Sequence, residues 1–221
     1  NATTARLFAK MVGVFLKKSD AILFVGASNS ARLIAKFLKE KGKRVILIDS
    51  NKNFIQEALN SDLEAFKVDV YDDELANNIE LNDVGYLIAL TGSDAVNRHA
   101  LNKFSKNFGE QGSYKLASSK DIIESTSKER ESFFTPNDDY INLSEAYREN
   151  PRINDLQISN QKEYESILAL LSKEEKSIPL FVETEEGIYL LPEFEKNNTS
   201  KENIKLYYLG KIITSTNEVV S

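Results

Sequence analysis

Residues 21–49, AILFVGASNSARLIAKFLKEKGKRVILID, constrain the fold more than any other stretch. The apolar run Ala21–Val25 ends at Gly26. Ala31, Ile34, Ala35, Phe37 and Leu38 then recur at helical spacing, with Arg32, Lys36, Lys39 and Glu40 on the opposite side. Gly42 follows where a helix would end on a left-handed residue. Val45–Ile48 is a second apolar run, closing on Asp49. An uninterrupted apolar strand suits a sheet covered on both faces. Strand, tight turn, helix and strand in succession make a βαβ unit, whose strands must be parallel.

The alternation continues. Phe54–Leu59 predicts a short helix, Ala65–Val68 a strand ending at Asp69, and Asp72–Ile79 a helix. Val84–Leu90 predicts a strand ending at Thr91-Gly92. Ser93 or Asp94 caps the next helix, which carries Val96, Ala100, Leu101 and Phe104. Tyr114–Ala117 reads as a fifth strand and Asp121–Lys128 as a helix. This pattern predicts an α/β fold, a Rossmann-like doubly wound parallel sheet, over residues 21–130. Residues 131–154 are polar, carry Pro136 and Pro151, and read as a linker with a helical possibility at Leu143–Tyr147. From 155 to 221 the pattern changes. Tyr164, Ile167, Leu168 and Leu171 form one helix face, and Ile178–Val182, Ile188–Leu191 and Leu206–Leu209 read as short strands. A second, smaller α+β domain or a partly open β-barrel fits them, with Asn197–Asn203 as an exposed loop.

Residues 1–20 read as an amphipathic connecting helix. Arg6, Lys10, Lys17 and Lys18 interrupt Ala5–Lys18, so it is neither a membrane span nor a signal peptide. The opening Asn-Ala without Met reads as a fragment of a longer protein. A net charge of −6 and a pI near 5.1 argue against nucleic acid as a partner. With no Cys and one His, neither disulfides nor a transition-metal site is expected.

Ligands of doubly wound sheets bind at the carboxyl ends of the strands. Gly26, Asp49, Asp69 and Thr91 all lie at such ends. The first turn departs from the dinucleotide fingerprint G-x-G-x-x-G/A by placing Gly26, Ser28 and Ala31 at its three positions. Ala31 is an accepted variant, whereas Ser28 fills the space that lets a backbone approach a pyrophosphate. Asp49 stands 23 residues after Gly26, near the spacing of a ribose-reading acid. Its carboxylate accepts ribose hydroxyls and repels a 2′-phosphate, which favours NAD, AMP, ADP or ATP over NADP. Asp49 suits a cap before Asn51–Asn53 equally well. Asp69 can meet an adenine edge or cap a helix. Thr91 can meet a phosphate or ribose, while Asp94 and Asn97 suit turn bonds. His99 reads as a surface or half-buried helix residue.

The features VGASNSA, LIDSN, KVDVYDDE and LTGSDAVN together resemble the TrkA-N family, also called RCK or KTN domains. The resemblance implies an adenine nucleotide or NAD over Gly26 with its ribose held by Asp49, in a binding site that includes Ala27, Ser28, Asn29, Ser30, Ser50 and Asn51. Asp69, Val70, Thr91 and Gly92 would complete the site, with no metal. It implies a non-enzymatic regulatory module that pairs as a homodimer on the cytoplasmic side of an inner membrane. Thr3–Val14 is similar to the segment after the last membrane helix of cation/proton antiporters. That similarity implies a Na⁺/H⁺ or K⁺/H⁺ antiporter tail, whose partner is the transmembrane domain of the same full-length chain. Ser28 and Val70-Tyr71 depart from the family pattern. Two other readings stay open: an NAD-dependent oxidoreductase, for which no catalytic signature is found, and a structural dimerisation module that has lost its ligand.

Overall fold

The computed structural model describes residues 20–72, 81–118, 133–134, 138–173, 176–197 and 201–213. The connecting helix expected over 1–20 and the helix expected over Asp121–Lys128 lie outside these residues, as does nearly all of that expected over Asp72–Ile79.

Strands β1 (Ala21–Val25), β2 (Val45–Asp49), β3 (Glu64–Lys67), β4 (Val84–Ala89) and β5 (Gly112–Lys115) form a parallel sheet in the order β3-β2-β1-β4-β5. Leu23 is in register with Ile46 on one side and Leu87 on the other. β1 is buried along its whole length, which explains its unbroken apolar sequence. Helices α1 (Asn29–Glu40), α2 (Lys52–Asn60) and α3 (Asp94–Phe108) connect these strands. α1 presents Ala31, Ile34, Ala35 and Leu38 to one face of the sheet, against Ile22, Phe24 and Leu47. α3 presents Ala100, Phe104 and Phe108 to the other, against Leu23, Val25 and Ile46. α1 stops where the sequence says it should. Gly42 takes φ +83°, its N–H donates to the Lys39 carbonyl, and the Lys43 N–H donates to the Leu38 carbonyl. These two bonds satisfy carbonyls that a helix end otherwise leaves open.

The fifth strand begins at Gly112, earlier than its apolar residues suggest. Helix α4 (Tyr140–Glu149) occupies part of the stretch that reads as a linker, and buries Leu143 and Ala146 in the core beside α1.

A second, antiparallel sheet contains β6 (Ile153–Ile158), β7 (Ile178–Thr184), β8 (Gly187–Leu190) and β9 (Ile204–Leu209), ordered β6-β9-β7-β8. Helices α5 (Gln161–Lys173) and α6 (Leu191–Asn197) belong to this part. One face of the sheet, with Val182, Leu206 and Tyr208, packs on Tyr164, Ile167 and Leu171 of α5 and Phe194 of α6. The other face, with Ile178, Phe181, Tyr207 and Leu209, joins the core of the parallel sheet. Phe37 of α1 stacks on Phe181, with centroids 5.4 Å apart. Lys41, at the end of α1, reaches Glu183 and Tyr207. No helix among the described residues is long and apolar enough to cross a membrane.

Candidate functional site

The strand order reverses between β1 and β4, and the turn after β1 is built for close approach at that crevice. Gly26 has φ +113°, a backbone state that side chains disfavour. A Cβ there would lie 3.1 Å from the Leu90 carbonyl and 3.2 Å from the Thr91 methyl. The Gly26 N–H donates to the Ile48 carbonyl at 2.8 Å. The chain then enters α1 through Ser28, whose Oγ accepts the Ala31 N–H at a long 3.4 Å. That cap leaves the amides of Asn29 and Ser30 without an intrahelical acceptor, at the electropositive end of the helix. Ser28 holds ordinary backbone angles (φ −60°, ψ 170°). A glycine there would add room rather than conformational freedom. Arg32 braces the turn from the side, donating to the Ala27 carbonyl and to Asn29 Oδ1, each at 2.5 Å, and pairing with Glu57.

Asp49 sits at the end of β2 and ties the turn after β1 to the turn after β2. Its Oδ2 accepts the Ala27 N–H and its Oδ1 the Asn51 N–H, each at 2.8 Å. Asn51 in turn caps α2 through the Asn53 N–H. Of the cap and turn roles read from the sequence for Asp49, the structure shows the turn, while the cap is Asn51. Each carboxylate oxygen keeps a further lone pair for a ligand hydroxyl. After β3, Asp69 Oδ1 accepts the Tyr71 N–H at 3.0 Å. After β4, Asn97 fastens Thr91: its Oδ1 accepts from the Thr91 N–H and hydroxyl, and its Nδ2 donates to the Thr91 carbonyl.

An open cleft of about 160 Å³ lies among these strand ends. Gly26, Asp49, Ser50, Asp69, Val70 and Thr91 line it, all expected from the sequence. Its apolar lining is Val25, Ile48, Val68, Val70 and Val96. Not every expected residue reaches it. Ala27, Ser28 and Ser30 are buried in the turn and helix start, Asn29 is exposed beside them, and Asn51 is the α2 cap. Gly92 faces a second cleft of about 240 Å³. That cleft shares Thr91 with the first and is lined on its far side by Leu116, Asp139, Tyr140 and Ile141. Sequence reasoning did not find Tyr71 and Val96 as lining residues. An aromatic two residues after the acid Asp69 was the available signal for Tyr71, whereas Val96 has only the pattern of a helix core position. Nothing in the sequence links residues 139–141 to Thr91, because the fold alone joins them.

Residues 22–128 match the TrkA-N domain family, so this part of the chain is a TrkA-N domain. Among solved structures, the chain is similar to the NAD(P)-binding domain of an exopolyphosphatase-related protein from Archaeoglobus fulgidus. The two are 18% identical with a TM-score of 0.39, over 50% of this chain and 82% of that one. It is also similar to the TrkA-N domain of the inner membrane protein ybaL from Escherichia coli. Here identity is 16% and the TM-score 0.38, over 51% and 83% of the two chains. No curated protein matches it.

Proposed function

We propose that the chain is a regulatory module that binds an adenine nucleotide or NAD in the cleft at the end of β1, β2, β3 and β4. The observation that carries this reading is the convergence of Gly26, Asp49, Asp69 and Thr91 on one cleft at the point where the strand order reverses. The ligand's phosphates lie against the N-terminal amides of α1. Its ribose hydroxyls meet the spare lone pairs of Asp49, and its base occupies the valine-lined floor. Thr91 marks the passage toward the second cleft, where a dinucleotide would place its other half. The acid at position 49 disfavours a 2′-phosphate, so NAD is preferred to NADP. No residue is assigned a catalytic role.

As a TrkA-N domain, the module serves a monovalent cation transport system, and the reading extends to a cation/proton antiporter. In that setting it works as a homodimer on the cytoplasmic side of an inner membrane. The transmembrane domain of the same full-length chain is its partner. Its nucleotide domain spans residues 21–130 and its C-terminal domain residues 155–221, with α4 packed between them. Ligand control of transport requires unequal affinity for two conformations. Calorimetric titration of NAD and AMP into the wild-type chain and Asp49→Asn tests the site. A clear loss of affinity in the folded variant is expected, and unchanged affinity removes Asp49 from the ribose site.

A second reading has one observation in its favour. Both Asp49 oxygens already accept backbone N–H groups, as they would in a module that keeps the turn without a ligand. Such a module gives no titration with any adenine nucleotide.

A further inference from the structure

We infer that Tyr71 is the stacking wall for the base of a nucleotide bound in the first cleft, and so a determinant of its specificity. The inference rests on the nucleotide reading above and names a residue that the fingerprint positions do not include. The segment after β3 is shaped to hold this ring at the cleft. Asp69 Oδ1 takes the Tyr71 N–H, and the Asp69 carbonyl takes the Asp72 N–H at 3.0 Å, which turns the chain sharply. Val70 is buried and anchors the turn. Tyr71 lines the cleft and is 55% exposed, one of few large apolar side chains left open among the described residues.

Among the described residues the ring has one aromatic neighbour, His99 of α3, with centroids 4.5 Å apart and planes tilted by 37°. No hydrogen bond fixes this pair. The Tyr71 hydroxyl has no hydrogen-bond partner among the described residues, and the buried His99 Nε2 has none either. Tyr71 is therefore placed by its backbone and by ring contact, while much of its surface remains in water. Leaving an aromatic half exposed forfeits the gain of burying it. A purine between Tyr71 and the valine floor would recover that gain. The adjoining acids, Asp49 and Asp69, supply acceptors for ribose hydroxyls and an exocyclic amine. An adenine base has the flat apolar faces and edge donors that such walls recognise.

The experiment titrates AMP by calorimetry into the full chain and into Tyr71→Phe and Tyr71→Ala, after confirming that all three melt alike without ligand. Tyr71→Phe keeps the π-face and is expected to bind within about twofold of wild type. Tyr71→Ala is expected to lose about tenfold, in the range measured for base–aromatic stacking. Equal or tighter binding by Tyr71→Ala overturns the inference and leaves the nucleotide site standing. An equal loss in both variants also overturns it, because the hydroxyl rather than the ring would be responsible. A wild-type chain that takes up neither AMP nor NAD overturns the nucleotide reading and this inference with it.

Discussion

At Gly26 the backbone angle and the nearest neighbours make the same demand. With φ +113° and the Leu90 carbonyl 3.1 Å from any added Cβ, Gly26→Ala strains the backbone and asks its neighbours to give by a few tenths of an ångström. A destabilisation of about 1–3 kcal/mol is expected, read as a melting temperature lowered by roughly 2–4 °C for each kcal/mol. Asp49 has a different double duty. Asp49→Ala strands the N–H groups of Ala27 and Asn51, and each unsatisfied donor costs about 1–3 kcal/mol if buried, less where water reaches it. Asp49→Asn retains one acceptor and is expected to melt between alanine variant and wild type. Both positions were legible from residue type and spacing. The Asp49 bond to Ala27 was not, because spacing predicts proximity across the βαβ unit and not which donor a carboxylate takes.

At the scale of elements, α1 joins the Gly26 turn at one end to the antiparallel sheet at the other. Burial works against the charge of Lys41, but hydrogen bonds to Glu183 and Tyr207 outweigh it and raise its pKa. The hydrogen bonds from Lys41 and then Tyr207 hold Glu183 below the usual carboxylate range. The lowered Glu183 value means its contribution is present above the ordinary carboxylate pKa of 4.5 and fades as pH falls through the folded value. The raised Lys41 value means its contribution is present below 10.5 and fades as pH rises beyond that. Glu183→Gln is therefore expected to lower the melting temperature slightly at pH 7, by less than about 1 kcal/mol because the pair is partly exposed. The difference from wild type should narrow in acid below pH 4.5, which parallel thermal melts check. β1, β2 and β4 were legible because unbroken apolar runs have few alternatives. β6 was not, since Asn154, Asp155 and Gln157 break its pattern, as an edge strand permits. α6 is a single short helix containing Pro192, and α4 carries its apolar residues on one narrow face. α6 does not rise above the polar background of its neighbourhood, and of α4 only Leu143–Tyr147 reads as helical.

Across the whole molecule the layers run α3, parallel sheet, α1 with α2, α4 and the antiparallel sheet, then α5 with α6. Tyrosines buried within these layers tie stability to alkaline pH. Burial, reinforced by Glu193, pushes Tyr114 up to about 12 and raises Tyr86 further, and burial with Glu195 does the same for Tyr164. Raised values mean that stability is fully present below the ordinary tyrosine pKa of 10.0 and is lost as pH climbs through the folded values. The chain has nine tyrosines and no tryptophan, so ultraviolet titration reads them cleanly. The exposed ones are expected to ionise reversibly, while the buried ones ionise only as the fold opens. That the two sheets share a core was not legible, because an inward-facing strand residue looks the same whichever layer it meets. The central claim, that the β1/β4 crevice holds an adenine nucleotide, is tested most directly by thermal melts of the wild-type chain with NAD, NADH, NADP, AMP, ADP and ATP. Ligand at a hundredfold excess over its Kd adds about 2.7 kcal/mol to the native state, a rise of roughly 5–10 °C. Such a rise is expected with at least one of NAD, NADH, AMP, ADP and ATP, and a smaller one with NADP. An unchanged melting temperature across the whole panel would contradict the central claim.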